Sequence, residues 1–397
     1  MAIRTTRRGF LAAATLSAAA LVAAACGSPQ DTASGGGDTA PVKVGLVYSQ
    51  SGPLASYGKQ YIEGFTAGLS YATKGTNKIG NRSVEITEVD DAGDPAKAVS
   101  AAKDLIGKGY KIIGGSTSSG VALQVAPIAA QNRVLFVSGP AATDAVTGVN
   151  KYTFRSGRQS YQDVLTAKSF IGDAAGKKIV VFAQDSAFGK ANEAAVTAVI
   201  GGAGATVSSV LAPASATDFT PFASQLTAAE PDLLFVAWAG TTAPAMWQAL
   251  DQQGVLGSTT VVTGLDLRAS WPTFGAAGGK ISFLSHFFDG ATDNEAAKAA
   301  RAAVPGGMLD LFHPDGFAAA QMIVRAVQEG DEDVDKMIKA LEGWSFDSVK
   351  GRMTVRADDH ALLQPMFQAK LTGGGDRIQA ELIKILTAEE STPPSRR

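Results

Sequence analysis

Two turns rich in small polar residues carry the side chains best suited to binding a small ligand. Residues 114–119 read Gly-Gly-Ser-Thr-Ser-Ser, and residues 138–144 read Ser-Gly-Pro-Ala-Ala-Thr-Asp. The hydroxyls of Ser116, Ser118 and Ser119, with free N–H groups at the start of the next helix, would bind an anion. Ser118 or Ser119 would equally serve as a helix N-cap without any ligand. Because two such turns occur on neighbouring strands, we favour the anion site.

The elements around these turns place them at one edge of a sheet. Each turn follows a short apolar run, residues 111–113 and 134–137, and residues 121–131 between them have the pattern of a helix. Strands that alternate with helices form parallel sheets, in which ligands bind outside the carboxyl ends of the strands. The sequence therefore predicts that both turns face the same crevice.

Strands and helices alternate in two series, which predicts an α/β protein with two similar lobes. The predicted strands are residues 42–48, 84–89, 111–113 and 134–137 in the first series and 178–183, 206–211, 232–237, 259–263 and 280–285 in the second. A chain of 397 residues also exceeds the roughly 250–300 residues that one core supports. Helices over 317–341, followed by strands over 352–385, indicate that the chain crosses between the lobes more than once.

Composition and charge exclude several classes of partner. The net charge of −2 provides no basic surface for nucleic acid. No cysteine and histidine spacing supports a zinc site, and Asp90, Asp91 and Asp94 lack the spacing of a calcium loop. Asp94 is instead predicted to cap a helix that begins at Pro95. We expect neither a metal nor a cofactor.

The first residues of the chain have the features of an export signal. Thr6-Arg7-Arg8-Gly9-Phe10-Leu11 is a twin-arginine pattern, and an Ala-rich apolar stretch follows over residues 10–25. This stretch is shorter than the roughly 20 apolar residues that a membrane span needs. The order of positive charge, apolar stretch and small residues is typical of a signal peptide.

Cys26 is predicted to carry a lipid anchor. It is the one cysteine of the chain, so it cannot form an internal disulfide. The surrounding Ala-Ala-Ala-Cys-Gly resembles the lipobox of bacterial lipoproteins, with Ala23 where leucine is usual. We therefore predict a twin-arginine lipoprotein signal peptide over 1–26 and a flexible tether over 27–41, which would hold the protein at the outer face of the cell membrane. The tail, 387–397, is predicted to be disordered.

The polar turns do not have the pattern of a known catalytic site. Ser116 does not occupy the centre of a Gly-x-Ser-x-Gly motif, and the turn lacks the lysine of a phosphate-binding loop. His286, His313 and His360 are far apart in sequence, and a serine triad needs a histidine. We predict a protein that is not an enzyme, with a hydrolase as an alternative if one histidine lies near the turns.

Several short blocks occur in a fixed order along the chain and resemble one family. They are Gly45-Leu-Val, Ser51-Gly-Pro-Leu-Ala-Ser-Tyr-Gly58, Asp90-Asp-Ala-Gly-Asp-Pro95, Gly139-Pro-Ala-Ala-Thr143, Tyr152-Thr-Phe-Arg155, Asp185-Ser-Ala-Phe-Gly189, Gly351-Arg-Met and Asp358-Asp-His360. In this order they resemble the leucine/isoleucine/valine-binding family of periplasmic, type I substrate-binding proteins, which serve ABC transporters. The resemblance covers nearly all of the chain after the tether.

The resemblance implies two lobes joined by a three-strand hinge. Lobe 1 would comprise residues 42–157 and 287–346, and lobe 2 residues 158–286 and 347–386. Such proteins close on their ligand by hinge bending. The chain would capture a small carboxylate- or amide-bearing solute, such as a branched-chain amino acid, and deliver it to an ABC transporter permease. A ligand-sensing receptor without transport is the alternative, because it would need the same pocket and hinge.

The resemblance also implies which residues bind the ligand. The ligand carboxylate would contact the two polar turns, at Ser116, Ser118, Ser119, Ala141, Ala142 and Thr143. Tyr57 would meet the ligand's side chain. In lobe 2, Phe188 and Trp238 stand where amino-acid binders of the family often have tyrosine, so they would form an aromatic wall. Asp266 would hold a ligand ammonium, or else cap a helix.

Overall fold

The computed structural model describes residues 40–396, which form three β-sheets flanked by helices. The predicted signal peptide, Cys26 and the tether up to residue 39 lie outside the described residues. Within residues 40–396, no helix is long and apolar enough to cross a membrane.

The first sheet has six strands and carries three helices. The strands are β1 (Val42–Tyr48), β2 (Lys78–Ile79), β3 (Arg82–Asp90), β4 (Ile112–Gly115), β5 (Leu135–Ser138) and β6 (Thr153–Arg155). The helices are α1 (Ala55–Ala72), α2 (Pro95–Gly107) and α3 (Ser119–Asn132). The strand order is β2-β3-β1-β4-β5-β6, and all neighbours except β2 and β3 pair in parallel. The turns after β4 and β5 therefore lie side by side.

The second sheet is built in the same way by the next part of the chain. Its elements are α4 (Ser160–Ile171), β7 (Lys178–Asp185), α5 (Ala187–Val199), β8 (Thr206–Pro213), α6 (Thr220–Ala229), β9 (Leu233–Ala237), α7 (Ala243–Gln252), α8 (Val255–Ser258), β10 (Thr260–Gly264) and β11 (Ser282–Ser285). The five strands pair in parallel in the order β11-β10-β9-β7-β8. Fully apolar strands such as β9 are buried on both faces, as expected for a parallel sheet that is covered by helices.

The last part of the chain is shared between the two sheets. Its elements are α9 (Glu295–Ala303), α10 (His313–Gly330), α11 (Val334–Leu341), β12 (Ser345–Ser348), β13 (Gly351–Val355), β14 (Leu362–Leu363), β15 (Met366–Thr372) and β16 (Gln379–Leu386). Strands β12 to β14 form a small antiparallel sheet, whereas β15 and β16 add two antiparallel strands to the β11 edge of the second sheet. The chain thus passes between sheets after β6, after β11 and after β14.

Helix α10 packs unusually closely on α1, which begins beside the candidate site. A Cβ atom on Gly64 would lie 2.0 Å from the backbone oxygen of His313, and one on Gly316 would lie 1.9 Å from that of Tyr61. Only glycine permits this approach of the two backbones. The contact fixes the position of the first turn of α1, where Tyr57 is located.

The predicted α/β class with two mostly parallel sheets is confirmed. The predicted helix cap is also confirmed, because the Asp94 carboxylate accepts hydrogen bonds from the backbone N–H groups of Ala96 and Lys97 at the start of α2. The number of hinge strands and the lobe boundaries stay predictions. Met353 and Val355, which we assigned to lobe 2, are buried in the same hydrophobic cluster as Val44 of the first sheet.

The described part of the tail after β16, residues 387–396, forms several hydrogen bonds to the rest of the protein, although we predicted disorder over 387–397. Ser391 is fully buried and its hydroxyl donates to the backbone oxygen of Gln364, at 2.8 Å. The guanidinium of Arg356 donates to the backbone oxygens of Pro393, at 2.7 Å, and Pro394, at 3.2 Å. Prolines lack an N–H group, but their carbonyl oxygens remain good acceptors. These bonds hold a segment whose composition alone favours disorder.

Candidate functional site

A cavity of about 350 Å³ lies between the carboxyl ends of the strands of the two large sheets. The first sheet contributes the turns after β4 and β5, and the second contributes the residues after β7, β9, β10 and β11. The predicted site residues that line it are Tyr57, Ser118, Ser119, Ala142, Phe188, Trp238 and Asp266. Topology therefore brings seven of the ten predicted positions together, from segments that are up to about 200 residues apart in sequence.

The turn after β4 needs an unusual backbone, which decides which hydroxyls reach the cavity. Gly115 has φ of +108°, and a Cβ atom there would lie 2.2 Å from the backbone oxygen of Val47. Ser116 has φ of +73° and is fully buried, with its hydroxyl 3.4 Å from that of Ser138. Ser116 therefore lies at the sheet edge and is not one of the residues that line the cavity, and its role in ligand binding stays a prediction.

The start of α3 faces the cavity without a side-chain cap. Ser118 occupies the N-cap position but its hydroxyl forms no capping hydrogen bond, so the purely structural alternative for Ser118 does not hold. The Ser119 hydroxyl accepts from the backbone N–H of Thr143, at 3.2 Å, and so joins the two turns. The first N–H groups of a helix have no partner within the helix. Ser118, Ser119 and Gly120 at the start of α3 line the cavity, so the free N–H groups of this first turn could bind an anion there.

The turn after β5 contributes Pro140 and Ala142 to the lining, but not Ala141 or Thr143. The Thr143 hydroxyl accepts from the backbone N–H of Ala145, at 3.4 Å, and caps a short 3₁₀ turn. Ala141 packs in a small apolar cluster with Ala122. Both side chains are thus used within the turn itself, and a ligand contact by Ala141 or Thr143 stays a prediction.

Two aromatic side chains of the second sheet line the opposite wall. Phe188 lies in the first turn of α5 and Trp238 directly follows β9, and both are partly buried. The Trp238 ring packs on Phe182 and Phe219, with centroid distances of 5.0 and 5.1 Å, and its indole N–H donates to the hydroxyl of Thr242, at 3.0 Å. Trp238 thus belongs partly to the core and partly to the cavity wall.

Tyr57 and Asp266 join the two walls directly. The Tyr57 hydroxyl donates to Oδ1 of Asp266, at 2.8 Å, and accepts from the backbone N–H of Gly240, at 3.2 Å. Oδ1 of Asp266 also accepts from the N–H of Leu267, at 2.7 Å, and burial raises the pKa of this carboxyl group. The 3₁₀ segment that follows begins at Arg268 with Leu267 at its N-cap position, so Asp266 is not the helix cap we considered.

Arg158 is a cation of the cavity that we did not predict as a site residue. It is 9% exposed, and its guanidinium carbon lies 6.0 Å from the ring centroids of both Phe188 and Phe312. Its Nε is 3.2 Å from a carboxylate oxygen of Asp163, and its Nη1 donates to the backbone oxygen of Pro140, at 2.9 Å. Burial raises the pKa of Asp163, and the Arg158 charge opposes that shift.

A buried polar network lies behind the cavity, where the chain passes between the sheets. His286 follows β11 and lines the cavity, and its Nε2 is 3.9 Å from Oδ2 of Asp315. Burial and the charge of Arg158 hold the pKa of His286 well below its usual range, so its ring is neutral. Lys350 and Asp315 are fully buried and paired at 3.0 Å, and Lys350 also donates to Gln364, at 2.7 Å.

Signals for both missed residues were present in the sequence. Arg158 lies in the break between the two predicted series, which is where a chain that crosses between lobes passes the floor of the crevice. His286 directly follows the predicted strand 280–285, at the same carboxyl edge as Trp238 and Asp266.

Comparisons with known proteins give a consistent picture. The sequence profile of the family described as "Periplasmic binding protein" matches residues 41–376. The chain is 26% identical over 327 residues to the Leu/Ile/Val-binding protein BraC3 of Rhizobium johnstonii, covering 79% of this chain and 87% of that protein. The crystal structure of an ABC-type branched-chain amino acid transporter from Rhodopseudomonas palustris is 31% identical in sequence, with a TM-score of 0.75. The match covers 90% of this chain and 100% of that chain.

A second solved structure shares the fold at lower identity. A solute-binding protein of an ABC transporter from R. palustris, in complex with 4-hydroxybenzoate, is 22% identical, with a TM-score of 0.80. The match covers 87% of this chain and 97% of that protein.

Proposed function

Because the chain belongs to the periplasmic binding protein family, we propose that it is the substrate-binding protein of an ABC transporter and captures a small carboxylate in the cavity between its two large sheets. The cavity carries this proposal. It lies at the carboxyl ends of the strands of both sheets, which is where open α/β sheets bind ligands. Its volume of about 350 Å³ is at the lower end of the range of roughly 300–1,000 Å³ found for small-molecule sites.

The chemistry of the lining favours an anionic group on an otherwise apolar ligand. Aromatic side chains form much of the second-sheet wall, while the start of α3 and the guanidinium of Arg158 supply convergent hydrogen-bond donors. Few polar groups in a mostly apolar cavity are typical of a site that fixes the orientation of a small molecule. The relatives named above bind branched-chain amino acids or 4-hydroxybenzoate, and both kinds of molecule carry a carboxylate.

Capture would proceed by closure of the two lobes on the ligand. The chain passes between the sheets after β6, β11 and β14, and these passages would form the three-strand hinge. Tyr57 hydrogen-bonds to residues of the second-sheet wall, and these bonds would form only when the two lobes are close together. A ligand that binds the closed form better than the open form shifts the population toward closure.

A panel of small carboxylates, screened by thermal denaturation and then by calorimetry, tests this function. A ligand at about 100 times its dissociation constant should stabilise the fold by roughly 2.7 kcal/mol. Small-angle scattering should show a smaller radius of gyration with that ligand than without it. Absence of stabilisation by every carboxylate tested, or an unchanged radius of gyration with a bound ligand, would contradict the proposal.

Delivery to a permease is tested in cells. Deletion of the gene that encodes this chain should abolish uptake of the carboxylate that the protein binds in vitro. Expression of the intact chain in the deletion strain should restore uptake. Unchanged uptake in the deletion strain would favour a sensing receptor over a transport component.

The lipid anchor is part of the same proposal and rests on the sequence around Cys26. Cys26→Ser should release the exported protein from the membrane fraction without changing its unfolding curve. Retention of the variant in the membrane fraction would count against lipidation. Separately, replacing Arg7 and Arg8 with lysine should block export, and normal export of that variant would refute the twin-arginine assignment.

A further inference from the structure

Arg158 has hydrogen-bonding capacity that the protein itself does not use. Its Nε is paired with Asp163, and its Nη1 donates to Pro140. Within residues 40–396, no group accepts a hydrogen bond from its Nη2. Nη2 is not one of the fully enclosed polar atoms that lack a partner, and Arg158 lines the cavity, so this donor is open to an acceptor in the cavity. The Nη2 of Arg158 is therefore a cationic donor that the protein leaves available to a ligand acceptor.

We propose, on the basis of the function inferred above, that Arg158 binds the ligand carboxylate and that the site selects carboxylates which lack an α-ammonium group. The residue lies in the passage after β6, beside the turn after β5 through its bond to Pro140. The uncapped start of α3 lines the same cavity. One carboxylate oxygen would accept from Nη2 of Arg158, and the other from the N–H groups at the start of α3.

The acidic residues of the cavity are already engaged, which is why an ammonium group is disfavoured. Of the described residues that line the cavity, those with carboxylates are Asp163 and Asp266. Asp163 is paired with Arg158, and Asp266 accepts from the Tyr57 hydroxyl and from a backbone N–H. The charge of Asp163 is already balanced by Arg158, and burial raises the pKa of Asp266, which disfavours the carboxylate that an ammonium group would need.

The remainder of the lining fits the apolar body of such a ligand. The apolar residues that line the cavity include Phe188, Trp238, Leu265, Leu311 and Phe312. Phe188 and Phe312 flank the Arg158 guanidinium, so a body attached to the carboxylate would enter directly between aromatic rings. The expected ligands are small monocarboxylates with an aromatic or branched aliphatic body.

Pairs of probes that differ only in the ammonium group test the ligand class. Calorimetry on the purified full-length chain would compare L-leucine with 4-methylpentanoate and L-phenylalanine with 3-phenylpropanoate, with benzoate as a fifth probe. At least one ammonium-free acid should bind, and its affinity should exceed that of its amino-acid partner by about tenfold or more. Tighter binding of the amino acid would overturn the ligand class, while carboxylate capture would still stand.

A neutralised charge pair tests the role of Arg158. Loss of Arg158 alone would leave Asp163 buried without its partner, so the variant combines Arg158→Gln with Asp163→Asn. Its affinity for the best ammonium-free probe should fall by about tenfold or more. Arg352→Gln, which removes an exposed arginine that does not line the cavity, serves as the matched control and should bind normally.

The outcomes separate this inference from the proposed function. Normal affinity of the folded double variant would show that another group binds the carboxylate, which would overturn the inference and leave the proposed function standing. Failure of all five probes to bind the wild-type chain would contradict both.

Circular dichroism on the double variant would establish whether it is folded. If it is not, Arg158→Lys replaces it, and an unchanged affinity of Arg158→Lys would equally overturn the role of the guanidinium.

Discussion

Replacement of Tyr57 by phenylalanine would test whether closure of the cavity contributes to binding. The substitution keeps the ring, which packs on Phe312 with a centroid distance of 4.7 Å, and removes only the hydroxyl. That hydroxyl donates to Asp266 and accepts from Gly240, and both of these residues belong to the second-sheet wall. In an open form the hydroxyl would bind water instead, so its removal affects the closed form selectively.

The expected effect follows from the hydrogen bonds that are lost. A hydrogen bond to a charged group contributes about 1.5–3 kcal/mol, and the Gly240 N–H also loses its acceptor. The closed form should therefore be destabilised by about 1.5–3 kcal/mol relative to the open form. Since every 1.4 kcal/mol corresponds to about a tenfold change in affinity, ligand binding should weaken by roughly 10- to 150-fold.

The assay combines calorimetry with small-angle scattering on the ligand-free and ligand-bound protein. The variant should bind more weakly and, without ligand, should have a radius of gyration at least as large as that of the wild type. Tyr71→Phe is the matched control, because its hydroxyl forms no hydrogen bond within residues 40–396 and the side chain is exposed. If Tyr57→Phe binds with wild-type affinity and gives the same scattering curve, the hydroxyl does not stabilise closure and the reasoning is refuted.

Three further substitutions examine the framework of the site. Lys350→Met leaves a buried carboxylate unpaired and should lower the free energy of unfolding by about 3–5 kcal/mol in denaturant titrations, whereas Lys151→Met at an exposed pair should have little effect. Burial keeps the pKa of His286 well below 6.5, so below that pH the unfolded state binds a proton that the native state does not. Stability should therefore fall as the pH drops from about 7.5 to about 5.5, and His286→Gln should reduce this loss; an equal loss in both proteins would contradict the assignment. Ser391→Ala should cost about 0.5–1.5 kcal/mol by calorimetric unfolding, and no cost would mean that the tail is not held by this bond.

Local patterns in the sequence were sufficient to predict the framework of this protein. Alternating strands and helices indicated two parallel sheets, and Asp94 before Pro95 indicated the start of α2. These signals depend on residues within one element or at its end, where hydrophobic period and hydrogen bonding are local. Because parallel strands end at a common edge, the same patterns also brought Ser118, Phe188 and Trp238 to one cavity.

Tertiary structure alone decided how individual side chains are used at that edge. Ser116 and Thr143 have the residue types of an anion site, but the positive φ of one and the capping bond of the other turn both hydroxyls away from the cavity. Tyr57 and Asp266 are 209 residues apart, so no local pattern could reveal that they satisfy each other. Arg158 is an ordinary arginine in the sequence, and its position in the cavity lining depends on distant segments that place Phe188 and Phe312 beside its guanidinium. Whether a polar group is free for a ligand depends on every neighbour that the fold brings to it, and that set of neighbours is a property of the tertiary structure.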